Sequence, residues 1–238
     1  MISNVQINNY FKVNSNILTF GLSPMEITVY CAIASMVNNK TKSIIAKYSA
    51  IANRANVSAQ SVCRAVNVLC EKNLLIITRR HRKENGYNLC HSYKLSNLCG
   101  GYNLNLSSDI WNSNLSPSAF TLYLYLFSRA KNNKSGLSFP SLFDIKSDLN
   151  MTTTTIVKHI EELQDTNLIE KRYYITVNGS FGCNNYYVLA LKNKNPHTSD
   201  DKHLLVIVKV GKKDFNVASF YTNRLKTNLE FCRLKQIA

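Results

Sequence analysis

Acidic residues are scarce in this chain, and so are glycine and proline. The 238 residues include 14 Asp and Glu, 8 Gly and 4 Pro, against 29 Lys and Arg. So little Gly and Pro excludes collagen-like and low-complexity sequence, and 45% hydrophobic residues are enough to build a core. Because one domain usually has about 100 to 200 residues, we expect two compact globular units.

Long hydrophobic runs are also missing. A membrane-spanning helix needs roughly 18 consecutive apolar residues, whereas a candidate run such as residues 204–208 has the length of a strand. Residues 1–10 are polar and lack the basic start and apolar run of a secretory signal. We therefore expect a cytoplasmic protein, associated with a nucleoid or plasmid and not with a membrane.

Neither a metal site nor an enzyme is indicated. The seven cysteines are irregularly spaced and include no C-x2-C pair, which favours a reducing compartment without disulfides. Cys63 and Cys70 are seven positions apart on one predicted helix, a spacing unsuited to zinc. No phosphate-binding loop, nucleophile motif or carboxylate cluster is found, so we expect no catalysis, no metal and no cofactor.

The strongest compositional feature is positive charge. The formal net charge is +15 and the pI is about 9.5. Such an excess indicates a polyanionic partner, with nucleic acid the first candidate and a membrane surface the second.

The chain contains an internal repeat. Residues 22–35 (LSPMEITVYCAIAS) align with residues 115–128 (LSPSAFTLYLYLFS) at an offset of 93, and residues 56–76 align with 150–170 at an offset of 94. Chance similarity between amphipathic helices is the alternative, but two blocks in the same order indicate a duplicated domain. The predicted divisions are an N-terminal extension (1–19), a first domain (20–98), a second domain (106–194) and a C-terminal segment (195–238).

Each copy carries the same local signals. Ser23-Pro24 and Ser116-Pro117 are typical of a helix start, with an N-cap followed by proline. A short second helix is predicted over residues 48–53 and 141–148, followed by a turn at Asn56 or Asn150 and a third helix. Two-stranded hairpins then follow, with strands at residues 74–78 and 89–95 in copy one, and at 168–174 and 186–191 in copy two.

Three helices followed by a hairpin make a winged helix-turn-helix. The expected fold is mainly α with small β wings (α+β), as two tandem winged helix-turn-helix domains. A C-terminal strand over residues 204–210 and an amphipathic helix over 215–237 complete it. That helix could pack on copy two, form a dimer interface or add phosphate contacts.

Residues 20–94 and 106–192 resemble winged helix-turn-helix domains of plasmid and phage replication initiators and related regulators of Gram-positive bacteria. The resemblance rests on the LSP that opens the first helix, the pattern N-[VM]-[ST]-x3-[VI]-x-[RK], and a closing N-L-[LI] before the wing. It implies binding to double-stranded DNA. Replication and transcriptional regulation share these motifs, so both remain open.

In this motif the third helix enters the major groove, where its outward side chains read base edges. In copy one the predicted reading residues are Ala59, Gln60, Ser61, Arg64 and Asn67. The wing carries the densest basic cluster of the chain, and we expect contacts to phosphates or the minor groove. The predicted backbone contacts are Lys47, Arg79, Arg80, Arg82, Lys83 and Tyr87.

Copy two is less basic. Residues 1–98 hold 12 basic and 3 acidic side chains, whereas residues 99–194 hold 9 and 7. Glu161 and Glu162 would repel phosphate if they pointed at it. The predicted DNA contacts here are Thr153, Thr154, Thr155, Lys158 and Arg172. Copy two either reads a second half-site weakly or mediates dimerisation.

Three functions remain open from the sequence. The first is a replication initiator of a plasmid, phage or integrative element, which binds origin repeats and recruits host replication proteins. The second is a transcriptional regulator that binds an operator with the same surface. The third is an interaction module of a replisome or segregation complex, with DNA contact secondary and with homodimerisation through copy two or the C-terminal helix.

Overall fold

A computed structural model describes residues 10–38, 40–78, 90–130, 137–138, 140–175, 181–189, 207–210 and 215–218. The first unit comprises β1 (Tyr10–Asn14), a 3₁₀ helix (Ser15–Thr19), α1 (Pro24–Met36), β2 (Ser43–Ala46), α2 (Tyr48–Ala55), α3 (Ala59–Glu71), β3 (Leu75–Thr78) and β4 (His91–Leu95). The second unit comprises β5 (Asn103–Ser107), a 3₁₀ helix (Ser108–Ser113), α4 (Pro117–Ala130), β6 (Leu137–Ser138), α5 (Leu142–Leu149), α6 (Thr153–Asp165), β7 (Ile169–Ile175) and β8 (Phe181–Leu189). The predicted α+β winged-helix class is confirmed.

Asparagine ends the second and third helices of both units. Asn56 and Asn150 follow α2 and α5 with φ of 52° and 50°, and Asn73 and Asn167 lie just beyond α3 and α6 with φ of 57° and 55°. This left-handed conformation is one that asparagine tolerates better than most residues. The turns predicted at Asn56 and Asn150 are therefore confirmed.

Each wing belongs to a three-stranded antiparallel sheet, in the orders β2-β4-β3 and β6-β8-β7. The predicted hairpins are confirmed, because β3 pairs with β4 and β7 with β8. In each sheet the segment after the first helix adds a third strand that was not predicted. β6 has only two residues, too few for the alternation by which a strand is recognised, and the four residues of β2, Ser-Ile-Ile-Ala, do not alternate. What holds β2 is its pairing with β4, in register from Ser43 opposite Lys94 to Ala46 opposite His91.

The segment predicted as an N-terminal extension contains β1 and the first 3₁₀ helix, which precede α1 just as β5 and the second 3₁₀ helix precede α4. β1 pairs with β5 in an antiparallel ladder of five residues on each strand. Phe11 and Val13 on β1, and Leu104 and Leu106 on β5, are buried. The described repeat therefore begins at the strand before the first long helix, and the two units are joined by backbone hydrogen bonds.

The two first helices form the centre of the molecule. Eight consecutive residues of α1, from Ile27 to Ala34, are buried, and so are eight consecutive residues of α4, from Ala119 to Leu126. A helix buried around its whole circumference must be covered on all sides. α1 and α4 pack on each other as well as on their own third helices. One continuous hydrophobic core therefore spans both units.

The C-terminal segment corrects one prediction. β9 (Ile207–Val210) falls within the expected strand, but Phe215–Ala218 forms a second strand, β10, that pairs antiparallel with β9. The predicted helix over 215–237 therefore does not begin at residue 215, and residues 219–237 lie outside the described residues. Phe-Asn-Val-Ala alternates apolar and polar positions at its start, so a strand period fits it as well as a helical one.

No helix in the described ranges is long and apolar enough to cross a membrane.

Candidate nucleic-acid interface

The helix-turn-helix of the first unit is built by local capping. α2 ends at Ala55, left-handed Asn56 turns the chain, and Ser58 caps α3 by accepting a hydrogen bond from the Ser61 N–H at 3.0 Å. Val62, Ala65, Val66 and Leu69 bury one face of α3, which packs on α1 and α2. The opposite face of α3 therefore points away from the core of the unit.

The structure places most of the predicted base-reading residues on that opposite face. Ala59, Gln60, Arg64 and Asn67 are exposed. Ser61 is half-buried and its hydroxyl lies 2.9 Å from the Ser58 hydroxyl, so it takes part in the cap. An exposed guanidinium and two amides on one helical face have the donor and acceptor groups that base edges in the major groove require.

Lys47 lies at the start of α2. It is exposed and occupies the N-cap position, but among the described residues its side chain makes no capping hydrogen bond. A helix N-terminus carries partial positive charge, which the lysine reinforces, so this end of α2 is suited to a phosphate. Arg54 and Lys72 instead hydrogen-bond inside the unit, to the Ser35 hydroxyl at 3.3 Å and the Phe20 carbonyl at 2.9 Å.

The predicted wing contacts cannot be placed. Arg79, Arg80, Arg82, Lys83 and Tyr87 lie outside the described residues, between the end of β3 at Thr78 and the start of β4 at His91. Arg172 of the second unit lies in β7, where its Cα is opposite that of Tyr186. Their contacts with DNA remain predictions.

The second unit repeats the geometry with different chemistry. Thr152 caps α6 by accepting from the Thr155 N–H at 3.2 Å, and the hydroxyl of half-buried Thr155 lies 2.8 Å from that of Thr152. Thr153, Thr154 and Lys158 are exposed on α6. This helix therefore presents hydroxyls and one ammonium where α3 presents amides and a guanidinium.

Glu162 does not point at the outer face. Its carboxylate accepts from the Ser116 N–H at 2.7 Å and the Ser116 hydroxyl at 2.8 Å, and lies 2.9 Å from His159 Nδ1. Partial burial opposes its ionisation, but the hydrogen bonds from Ser116 and His159 outweigh burial and lower the pKa of Glu162. The carboxylate therefore fixes α6 to the start of α4, and only Glu161 of this acidic pair is exposed.

This contact replaces a local cap of the first unit. There, the Ser23 N–H donates at 2.7 Å to Glu26, three residues further along α1. In α4 the position equivalent to Glu26 is occupied by Ala119, which cannot accept this hydrogen bond. The Ser116 N–H donates instead to Glu162 of α6, whose counterpart in the first unit is Val68. The sequence comparison missed this contact, and the paired changes at 119 and 162 were the signal that could have revealed it.

Charge separates the two helix-turn-helix segments sharply. Residues 47–72 contain four basic and one acidic side chain, net +3, while the equivalent residues 141–166 contain two and five, net −3. Asp144 accepts from the Ser141 N–H at 2.8 Å, and this bond, with that from the Ser141 hydroxyl, lowers the pKa of Asp144. Asp148 pairs with Arg129 at 2.5 Å. With Glu162, three of the five carboxylates are thus engaged within the second unit.

His159 is 8% exposed, and its Nδ1 lies 3.4 Å from the Ser116 hydroxyl. In the described ranges no group of three His, Cys, Asp or Glu side chains could hold a metal ion. Cys31 is buried in α1, and burial raises the pKa of its thiol.

Two segments, residues 21–75 and 113–169, match the family described as Helix-turn-helix domain. Each of these segments is similar to that domain and has the winged helix-turn-helix fold. The matched segments contain α1 to α3 and α4 to α6, so they coincide with the structural repeat. No curated protein matches the chain. Two helix-turn-helix domains support sequence-specific binding of double-stranded DNA.

Proposed function

We propose that this chain is a non-enzymatic replication initiator of a plasmid, phage or integrative element. It binds repeats at an origin and recruits host replication proteins. It is a cytoplasmic protein associated with a nucleoid or plasmid. The first helix-turn-helix domain is the principal DNA-binding unit. The observation that carries this assignment is the exposed face of α3, with Arg64, in a segment of net charge +3.

Base reading by α3 follows from this arrangement. Arg64 is exposed on the second turn of α3, one turn beyond Gln60, and both lie opposite the buried stripe. A guanidinium can donate two hydrogen bonds to a guanine edge, and an amide can pair with an adenine edge. Lys47 at the start of α2, together with the basic wing, supplies phosphate contacts that position the helix.

A transcriptional regulator is the second candidate, because the same surface would serve at an operator. The third candidate is an interaction module with secondary DNA contact, in which the second helix-turn-helix segment, of net charge −3, docks a basic partner protein. Footprinting on DNA flanking the gene separates the first two. Direct repeats in an AT-rich region support initiation, and a site overlapping a promoter supports regulation.

Binding to DNA itself is tested by affinity for genomic and random duplexes across a salt series. About six to eight phosphate contacts give a log–log slope of roughly −5 to −7. A slope near zero contradicts every DNA-binding role.

Arg64 is tested by comparing Arg64→Ala with Arg64→Lys. Both variants lose preference at one base pair by about 5- to 150-fold, corresponding to roughly 1–3 kcal/mol. Arg64→Lys keeps its affinity for random duplex because its charge is unchanged. Equal loss on all sequences for both variants would show that Arg64 does not read a base.

A further inference from the structure

The strand pair that joins the two units is symmetric. Lys12 lies opposite Asn105 at the centre of the β1–β5 ladder, with Tyr10 opposite Ser107 at one end and Asn14 opposite Asn103 at the other. Lys12 and Asn105 differ by 93, the offset that relates the two sequence repeats. Each residue of β1 therefore faces the residue that a twofold rotation about the central pair requires.

The paired helices obey the same symmetry. The Thr28 hydroxyl lies 3.4 Å from the Pro117 carbonyl, and the Thr121 hydroxyl lies 3.4 Å from the Pro24 carbonyl. Thr121 and Pro117 are the counterparts of Thr28 and Pro24 at the same offset of 93. Reciprocal contacts of this kind define an isologous interface, the kind that joins the subunits of a twofold dimer. Here it lies within one chain.

The relative orientation of the two units is set by packing. The stretch between β4 and β5 is held against the first unit, since Ser15 N–H donates to the Tyr102 carbonyl at 2.9 Å and Tyr102 N–H to the Ser15 hydroxyl at 3.1 Å. Trp111 of the second unit stacks on Phe11 of the first, with ring centroids 5.8 Å apart. A shared core and paired strands do not permit the free reorientation that a flexible linker allows.

The turn of the first helix-turn-helix also touches the second unit. The Asn56 side chain lies 3.5 Å from the carbonyl of Asn114, which is left-handed (φ 47°) just before α4. Asn114 is the counterpart of Gly21, also left-handed (φ 60°), before α1. α3 therefore begins three residues beyond a contact with the other unit, while Ala59, Gln60, Arg64 and Asn67 stay exposed.

We propose that one chain binds an imperfect inverted repeat, that is, two half-sites in opposite orientation that differ in sequence. The twofold rotation that carries α1 onto α4 carries α3 onto α6, so the two recognition helices meet DNA in opposite directions. This inference rests on the proposed DNA binding and specifies the symmetry of the target. Because α3 offers amides and a guanidinium and α6 offers threonines and Lys158, the half facing α3 is strongly specified and the half facing α6 weakly.

Because the orientation of the two units is fixed, the spacing between the two half-sites on DNA is fixed as well. Two recognition helices related by a twofold axis contact half-sites about one helical turn apart, roughly 10 base pairs, or a multiple of it. A weak second half adds about 10-fold in affinity, equivalent to one good contact of about 1.4 kcal/mol. Inserting half a turn between the halves removes this gain.

The test starts from selection of bound sequences out of random duplex with the full chain. Four probes are then compared by fluorescence anisotropy. The first is the selected site, and the second is the same site with the orientation of the α6 half reversed, which makes the two halves direct. The third has the sequence of the α6 half scrambled, and the fourth has five base pairs inserted between the halves. We expect the last three to bind equally and about 10-fold more weakly than the selected site. Analytical ultracentrifugation is expected to find one chain per selected site.

Two variants assign the weak half. Lys158→Ala is expected to bind the inverted and direct probes equally, because only α6 distinguishes them. Lys146→Ala, the matched control from α5, is expected to keep the 10-fold preference. Both lysines are exposed, and circular dichroism checks that both variants fold.

Equal affinity of wild-type chain for the inverted and direct probes would overturn the inference, as would selection of a single half-site or occupancy by two chains. In each of those cases DNA binding itself stands. Loss of binding to every duplex would overturn the proposed function and this inference together.

Discussion

The cap that Glu162 provides to α4 predicts a measurable loss of stability in Glu162→Gln. The carboxylate accepts from both the N–H and the hydroxyl of Ser116 and contacts His159, all within 2.9 Å. Glutamine keeps one acceptor oxygen, places an amide donor where the other oxygen accepted, and loses the charge at the helix N-terminus. Hydrogen bonds to charged groups contribute about 1.5–3 kcal/mol.

Partial solvent access moderates this cost, because the Glu162 side chain is 29% exposed and water can replace part of what is lost. We expect the free energy of unfolding to fall by about 1.5 kcal/mol. For a chain of this size that corresponds to a decrease in Tm of roughly 3–6 °C. Thermal unfolding followed by circular dichroism at neutral pH measures it.

Glu161→Gln is the matched control. It removes the same charge from the neighbouring position of α6, where the side chain is exposed, and a surface substitution of this kind changes stability by about 0.5 kcal/mol or less. Equal Tm values for the two variants would refute the assignment of Glu162 as a cap. A Tm decrease in Glu161→Gln alone would refute it as well.

The pH dependence gives a second check on the same residue. The pKa of Glu162 in the folded chain lies below its ordinary value of 4.5. On acidification Glu162 is therefore protonated in the unfolded chain before it is protonated in the folded chain. The contribution of Glu162 to stability is fully present above pH 4.5 and is lost as the pH falls through the folded pKa. The difference in unfolding free energy between wild type and Glu162→Gln should shrink below about pH 4.5.

Three further predictions concern the wing and the backbone. Replacing the wing arginines with alanine should weaken binding to all duplexes alike and reduce the salt slope by about one per lost phosphate contact; a loss confined to one sequence would contradict a phosphate role for Arg79, Arg80 and Arg82. Asn56→Ala should lower the unfolding free energy in urea by about 1 kcal/mol, because φ is 52°, while Asn56→Gly should retain it. Gly101→Ala should lower the free energy of unfolding more than Gly21→Ala does. Both glycines have positive φ, but a Cβ at Gly101 would lie 2.6 Å from the Asn14 side chain, whereas a Cβ at Gly21 would meet nothing within 4 Å. Equal costs in thermal unfolding would contradict the close approach at Gly101.

The parts of the fold that the sequence predicted are those with local signals. Ser23 and Ser116 cap α1 and α4 as predicted, because the cap chemistry lies within three residues. The buried stripe of α3 follows from helical periodicity, and with it the exposed positions of Gln60 and Arg64. Local capping and periodicity therefore located the candidate site in both units.

The parts that escaped prediction depend on partners distant in sequence. β1 is held by β5, some 90 residues away, and β2 by β4. β2 has two adjacent isoleucines, and Ile45 is 56% exposed, so its sequence lacks the apolar–polar alternation of a half-buried strand. The direction of Glu162 likewise depends on Ser116, which lies 46 positions earlier. Register and tertiary caps of this kind are set by packing between elements.

The interface between α1 and α4 joins two halves of one polypeptide, so every substitution occurs once. In a homodimer, a change from Glu26 to alanine would remove both caps together, and a compensating glutamate would appear in both subunits. Here Ala119 and Glu162 stand in one half while Glu26 and Val68 stand in the other. Each half can therefore exchange its stabilising contacts and its surface charge independently, while the shared core between them is kept.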